Sequence, residues 1–193
     1  MARNLPVRGE RHIDEVQIFP QRGFVYHIKG GGISGKLLRP FAELWAALTL
    51  SQGEYVHWID GASRFNPARI MNNFPQHIPQ PEQLLHGLFV GRGFTVHQFS
   101  HLIERLSDEI KITKARLIVV DGPITMHLDS QVNDYEARSL LRKSMNILSQ
   151  IAIDYQIPVV VITAAKGFSQ RHASLLALVA NRSQNSLVGR YRL

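Results

Sequence analysis

Two short runs constrain the chain most: Leu117-Ile118-Val119-Val120-Asp121 and Pro158-Val159-Val160-Val161-Ile162-Thr163. Each is an unbroken apolar stretch of strand length, rich in β-branched residues. A strand with one face in water alternates apolar and polar positions, so an unbroken run marks a strand covered on both faces. Such strands belong to parallel sheets, and parallel neighbours need a crossover, usually a helix.

The remaining pattern supplies the crossovers. Strands are expected at Phe24–Ile28, Glu54–Ile59, Leu88–Arg92, Ala115–Asp121 and Pro158–Thr163. Helices are expected at Leu38–Leu50, Asn66–Asn73 (Asn66 as cap, Pro67 first), Thr95–Ile110 and over 133–155. In the last, Ala137, Leu141, Met145, Leu148, Ala152 and Tyr155 recur at threes and fours on one face. Trp45, Phe41 and Leu48 read as core. Ser174–Ala180 and Ser186–Leu193, around Asn-Arg-Ser-Gln-Asn, read as a C-terminal antiparallel hairpin. The expected fold class is α/β: one core domain over residues 23–193, with a mostly parallel central sheet flanked by helices. Residues 1–22 read as a lead-in segment.

A chain of 193 residues with 45% apolar content can bury one substantial core. Having no cysteine, it has no disulfides, thiolate metal sites or thiol nucleophile. No apolar run approaches the roughly 18 residues of a membrane span, and the N-terminus has no apolar h-region, so the expected compartment is the cytoplasm. The net charge is +7 and the pI about 10.1. The basic excess lies in residues 1–40 and 166–193, around a slightly acidic middle. Basic ends on a near-neutral body suit a polyanion such as nucleic acid, or serve solubility alone. His97 and His101 share a helix face, but without a third ligand they are expected to bind no metal.

Between a predicted strand and a predicted helix lies Gly30-Gly31-Gly32-Ile33-Ser34-Gly35-Lys36-Leu37. This is the setting of the phosphate loop G-x-x-x-x-G-K-[ST], in which glycines turn backbone N–H groups toward phosphate and the lysine reaches its outer oxygens. Gly30, Gly32, Gly35 and Lys36 are the candidate phosphate contacts. Leu117–Asp121 has the form of a Walker B strand, with Asp121 as the acid beside the metal.

With these motifs in order, the chain resembles the RecA/RadA-type recombinase superfamily over about residues 24–193, and its paralogues in particular. Tyr55–Ile70 resembles the family segment V-x-Y-I-D-T-E-G-T-F-x-P-E-R-L. Gly91-Arg92-Gly93-Phe94 with His97-Gln98 resembles A-R-A-x-N-x-x-H-Q, one residue shorter. Ile157–Ala165 resembles the strand ending in T-N-Q. The resemblance implies a single RecA-like P-loop core.

The departures carry as much as the matches. On this alignment the metal-binding hydroxyl falls on Leu37, the catalytic glutamate on Ala62, and the glutamine that links nucleotide state to DNA on the alanines of Thr163-Ala164-Ala165. Phosphoryl transfer is mostly positioning and electrostatics, so these losses imply a degenerate ATPase core: no catalytic residues, no required cofactor, ATP affinity weak or absent. The family's small N-terminal DNA-binding domain and its Phe-x-x-Ala linker have no counterpart, so no self-built filament is expected. Lys166, Arg171 and His172 fall where the family has its second DNA-binding loop. With Arg182, Arg190 and Arg192 they are the candidate DNA contacts. The expected function is a non-hydrolysing, recombinase-paralogue-like accessory protein in DNA recombination or repair, binding DNA (single-stranded by preference), a recombinase, or both. The alternatives are an active Mg²⁺-dependent ATPase of the same fold with a rewired site, and a pure protein-interaction scaffold.

Overall fold

The structure is a computed structural model that describes residues 10–12, as backbone, and 19–188. Its centre, among the described residues, is a seven-stranded sheet. In chain order the strands are β1 (Glu10–His12), β2 (Val25–Gly30), β3 (Val56–Asp60), β4 (Leu88–Arg92), β5 (Leu117–Asp121), β6 (Val159–Ala164) and β7 (Asn185–Val188). Across the sheet they run β1-β7-β2-β6-β5-β3-β4, and every pairing is parallel. The two apolar runs, β5 and β6, lie adjacent with every residue buried, as their patterning requires.

The helices are α1 (Arg39–Ser51), α2 (Pro67–Met71), α3 (Val96–Thr113), α4 (Asp134–Tyr155) and α5 (Gln170–Asn181). They form two layers. On one face Phe99, Ile103 and Leu106 of α3, Leu141, Met145 and Leu148 of α4, and Leu175 and Val179 of α5 pack against Ile118, Val120, Val159 and Val161. On the other, Ala42, Trp45, Ala46 and Leu50 of α1 with Ile70 of α2 cover Trp58, Leu117, Val119, Val160 and Ile162. Leu48, expected in the core, is instead 37% exposed, because α1 turns it off the buried stripe. Side-chain caps fix the entries of four helices: Asn66 accepts the N–H of Ala68, Thr95 that of Gln98, Asn133 that of Glu136 and Ser169 that of His172. Among the described residues no helix is long and apolar enough to cross a membrane.

The C-terminal antiparallel hairpin is corrected. Ser174–Ala180 lies inside α5, where Leu175, Leu178 and Val179 are buried at helical spacing. Its apolar run is helical in period, and Ser169 caps its start. The chain thus crosses back over the sheet, and β7 adds parallel to β2, with Tyr26 opposite Asn185 and Ile28 opposite Leu187. Beyond Val188 the expected second arm lies outside the described residues.

Parallel strands send their C-terminal ends to one rim. That rim gathers the loop after β2, Gly61–Arg64 after β3, Gly93–Phe94 after β4, Gly122–Leu128 after β5 and Ala165–Ser169 after β6. Ligands of open α/β sheets bind at this rim.

Candidate functional site

The loop after β2 is drawn tight. Gly35 has φ +76°, and a Cβ there would stand 2.2 Å from the carbonyl oxygen of Thr163; a Cβ on Gly30 would stand 2.6 Å from the carbonyl oxygen of Gly35. Gly30, Gly32 and Gly35 therefore hold the expected turn. Three of the loop's amides, however, turn back on the loop itself. The N–H of Gly35 donates to Gly32 O (3.3 Å), that of Lys36 to Ile33 O (3.3 Å) and that of Leu37 to Gly31 O (3.2 Å). Ile33–Gly35 forms a 3₁₀ turn, and α1 begins only at Arg39. Neighbouring loops pin it: Ser34 Oγ lies 2.9 Å from Thr125 Oγ1, and Arg64 donates to Ile33 O at 2.8 Å. The Lys36 side chain is exposed and bonds to no described residue.

Behind the loop two carboxylates end neighbouring strands. Asp60 of β3 and Asp121 of β5 are register partners, and both are fully buried. Arg39 grips Asp121 side-on, with Nε 2.5 Å from Oδ2 and Nη2 3.0 Å from Oδ1, and is itself 2% exposed. Asp60 accepts the backbone N–H of Arg64 (3.1 Å) and of Phe65 (3.0 Å), and Arg92 lies 2.9 Å from its Oδ2. Burial pushes the Asp121 carboxyl above its ordinary value, and Arg39 opposes that shift. The two-point contact has the geometry of a guanidinium on a carboxylate. Glu43, one turn after Arg39, is also buried and shifted up by desolvation, against the pull of Arg69 at 3.8 Å.

These residues do not fit a metal-bound nucleoside triphosphate. Both oxygens of Asp121 are taken by Arg39, the side chain of Leu37 has no oxygen to offer and lies 56% exposed, and the amides of Gly35, Lys36 and Leu37 are bonded within the loop. The cavity beside the loop, between Ser34, Thr125, Thr163 and Phe168, measures about 80 Å³. That is far below the roughly 300 Å³ at which small-molecule sites begin. Ala62 lies close under Gly122. Among the described residues no group of three or more His, Asp or Glu is placed to hold a metal ion.

The candidate DNA contacts are not brought together. Lys166 is exposed at the rim, beside Phe168, which is 79% exposed. Arg171, on the first turn of α5, pairs with Asp134 at 3.3 Å, and its Nε and Nη2 are buried without a partner. His172 is buried against the ring of Phe168, with centroids 4.4 Å apart. Arg182 lies past the other end of α5, roughly 18 Å along the axis at 1.5 Å per residue, and bonds Asn146. Arg190 and Arg192 lie outside the described residues. At the rim His127 is fully buried, its Nδ1–H donating to Pro123 O at 2.8 Å, and burial holds its pKa down to about 4.

The sequence reading missed Arg39, Asp60, Arg64 and Arg92. Arg39 had a signal: it is in phase with Ala42, Ala46 and Leu50, an arginine on the buried stripe of its own helix. Asp60 had another, since β3 ends in an acid as β5 does.

A second cleft of about 470 Å³ runs along α3 and β4, an edge strand of the sheet among the described residues. His57, Ile59, Phe89, Val90, Leu102 and Ile112 line it, and Phe89, Val90 and Ile112 are exposed.

No curated protein matches the chain. A family model described as Rad51 matches residues 43–187, well over half of the 193 residues, and begins after the glycine-rich loop. The chain belongs to the Rad51 family, within the RecA/RadA recombinase superfamily.

Proposed function

We propose that this protein is a non-hydrolysing, recombinase-paralogue-like accessory subunit in DNA recombination or repair. One observation carries the reading: the amides of Gly35, Lys36 and Leu37, which a phosphate would need, already bond the loop's own carbonyls. Binding a triphosphate would break those bonds and regain no metal contact from Leu37. The core is then a constitutive scaffold that works in the cytoplasm without nucleotide, and it attaches to DNA through exposed groups at the rim. Lys36, Lys166 and Phe168 are the described groups that suit a single strand, as cations for phosphate and a ring for a base. Phosphate-release assays with Mg²⁺-ATP test the reading. Wild type and Lys36→Ala should both stay at background, and a wild-type rate abolished by Lys36→Ala would establish the active ATPase instead.

The β4 cleft favours a second mode of attachment, to a recombinase. An open strand edge beside exposed Phe89 and Val90 can accept an extended segment as an added strand, with an apolar side chain in the cleft.

A further inference from the structure

We infer that Arg39 is a tethered cation that takes over the work of a divalent metal at the Asp60–Asp121 carboxylate pair. The inference deepens the non-hydrolysing reading and rests on it. Two carboxylates paired across adjacent strands, both fully buried, cannot stay ionised in an apolar core without a compensating charge. Here each has its own arginine from a different element. Arg92, at the end of β4, serves Asp60, and Arg39, at the first residue of α1, serves Asp121. Arg39 is not a surface residue folded inward. It is 2% exposed and in phase with the buried face of its helix, and its fork occupies both oxygens of Asp121 at 2.5 and 3.0 Å. Leu37, two residues before it, points its apolar side chain to solvent. The loop thus carries a covalently attached positive charge and no hydroxyl for a hard cation. The charge balance of the rim is fixed by the chain itself and does not change with metal or nucleotide.

It follows that removing Arg39 should expose a cation site. The experiment is Mn²⁺ binding to the full chain, read without nucleotide by the loss of the free-ion EPR signal, together with thermal melts. Wild type should take up no Mn²⁺ below millimolar concentration. Arg39→Ala should bind Mn²⁺ at least about tenfold more tightly than wild type, and saturating metal should raise its melting temperature by about 5 °C or more. Adding Asp121→Asn to Arg39→Ala should abolish both responses. Wild-type Mn²⁺ binding that Asp121→Asn removes would overturn the inference, as would a folded Arg39→Ala that ignores Mn²⁺. Should Arg39→Ala fold only in the presence of Mn²⁺, the inference stands. Should it fail to fold even with Mn²⁺ while Arg39→Met with Asp121→Leu folds, the metal cannot do the arginine's work and the inference falls. Because no nucleotide is present, these outcomes are separate from the ATPase test of the function itself.

Discussion

Gly35 carries the loop's shape on two grounds at once: a left-handed φ of +76° and a Thr163 carbonyl 2.2 Å from where a Cβ would sit. Neither the sheet backbone nor the loop can yield cheaply, so Gly35→Ala should lower stability by about 2 kcal/mol or more, measured by urea denaturation. Two of the buried histidines, His27 and His127, are held well below the ordinary imidazole value and contribute to the response to acid. Burial holds His27 down to about 3, with Lys29 adding to the effect, and His127 down to about 4. Both are neutral in the folded state, whereas the unfolded chain takes up their protons below about 6.5. Their contribution to stability is therefore complete above pH 6.5 and is lost as pH falls toward 4 and then 3, at about 1.4 kcal/mol per unit of depression. The melting temperature should drop over this window. His127→Gln, less stable at pH 7.5, should show a shallower drop.

At the scale of elements, β4 and α4 make opposite demands. Asn133 caps the 22-residue α4, and Asn133→Ala should cost about 1 kcal/mol by removing the acceptor for the Glu136 N–H. β4 contributes little to the core and presents an open edge, so Val90→Lys should leave the melting temperature nearly unchanged. If a recombinase docks there, the same substitution should cut its capture in a pull-down about tenfold, since a charge on an edge strand opposes strand addition. The sequence placed β4 and the starts of α2, α3 and α4 because these signals are local: a cap side chain or a periodic run acts within a few residues. It mistook α5 for a hairpin arm because Ser174–Ala180 is short and almost wholly apolar. In such a run strand and helix periods look alike, and only packing of Leu175 and Val179 against the sheet separates them.

At the scale of the molecule, the rim is where charge meets a partner. If Lys36 and Lys166 both contact phosphates of a single strand, replacing both with alanine should reduce the slope of log K against log salt by about 1.4, at about 0.7 for each contact. Fluorescence anisotropy of a labelled oligonucleotide measures this, and an unchanged slope would move DNA binding away from these residues. The sequence by itself determined the parallel α/β core, because the residues of β5 and β6 admit no environment other than burial on both faces. It also determined that the residue after Gly35-Lys36 brings no hydroxyl, because Leu37 is a matter of chemical identity. Only the tertiary structure decided what faces Asp121. Asp121 and Arg39 are 82 residues apart, and the two-point contact between them exists only once α1 is laid across the sheet. The fate of the candidate DNA contacts was decided in the same way. Lys166 and Arg182 are 16 positions apart in the sequence, but α5 carries the chain from one rim of the sheet to the other, and a helix separates its ends by its length.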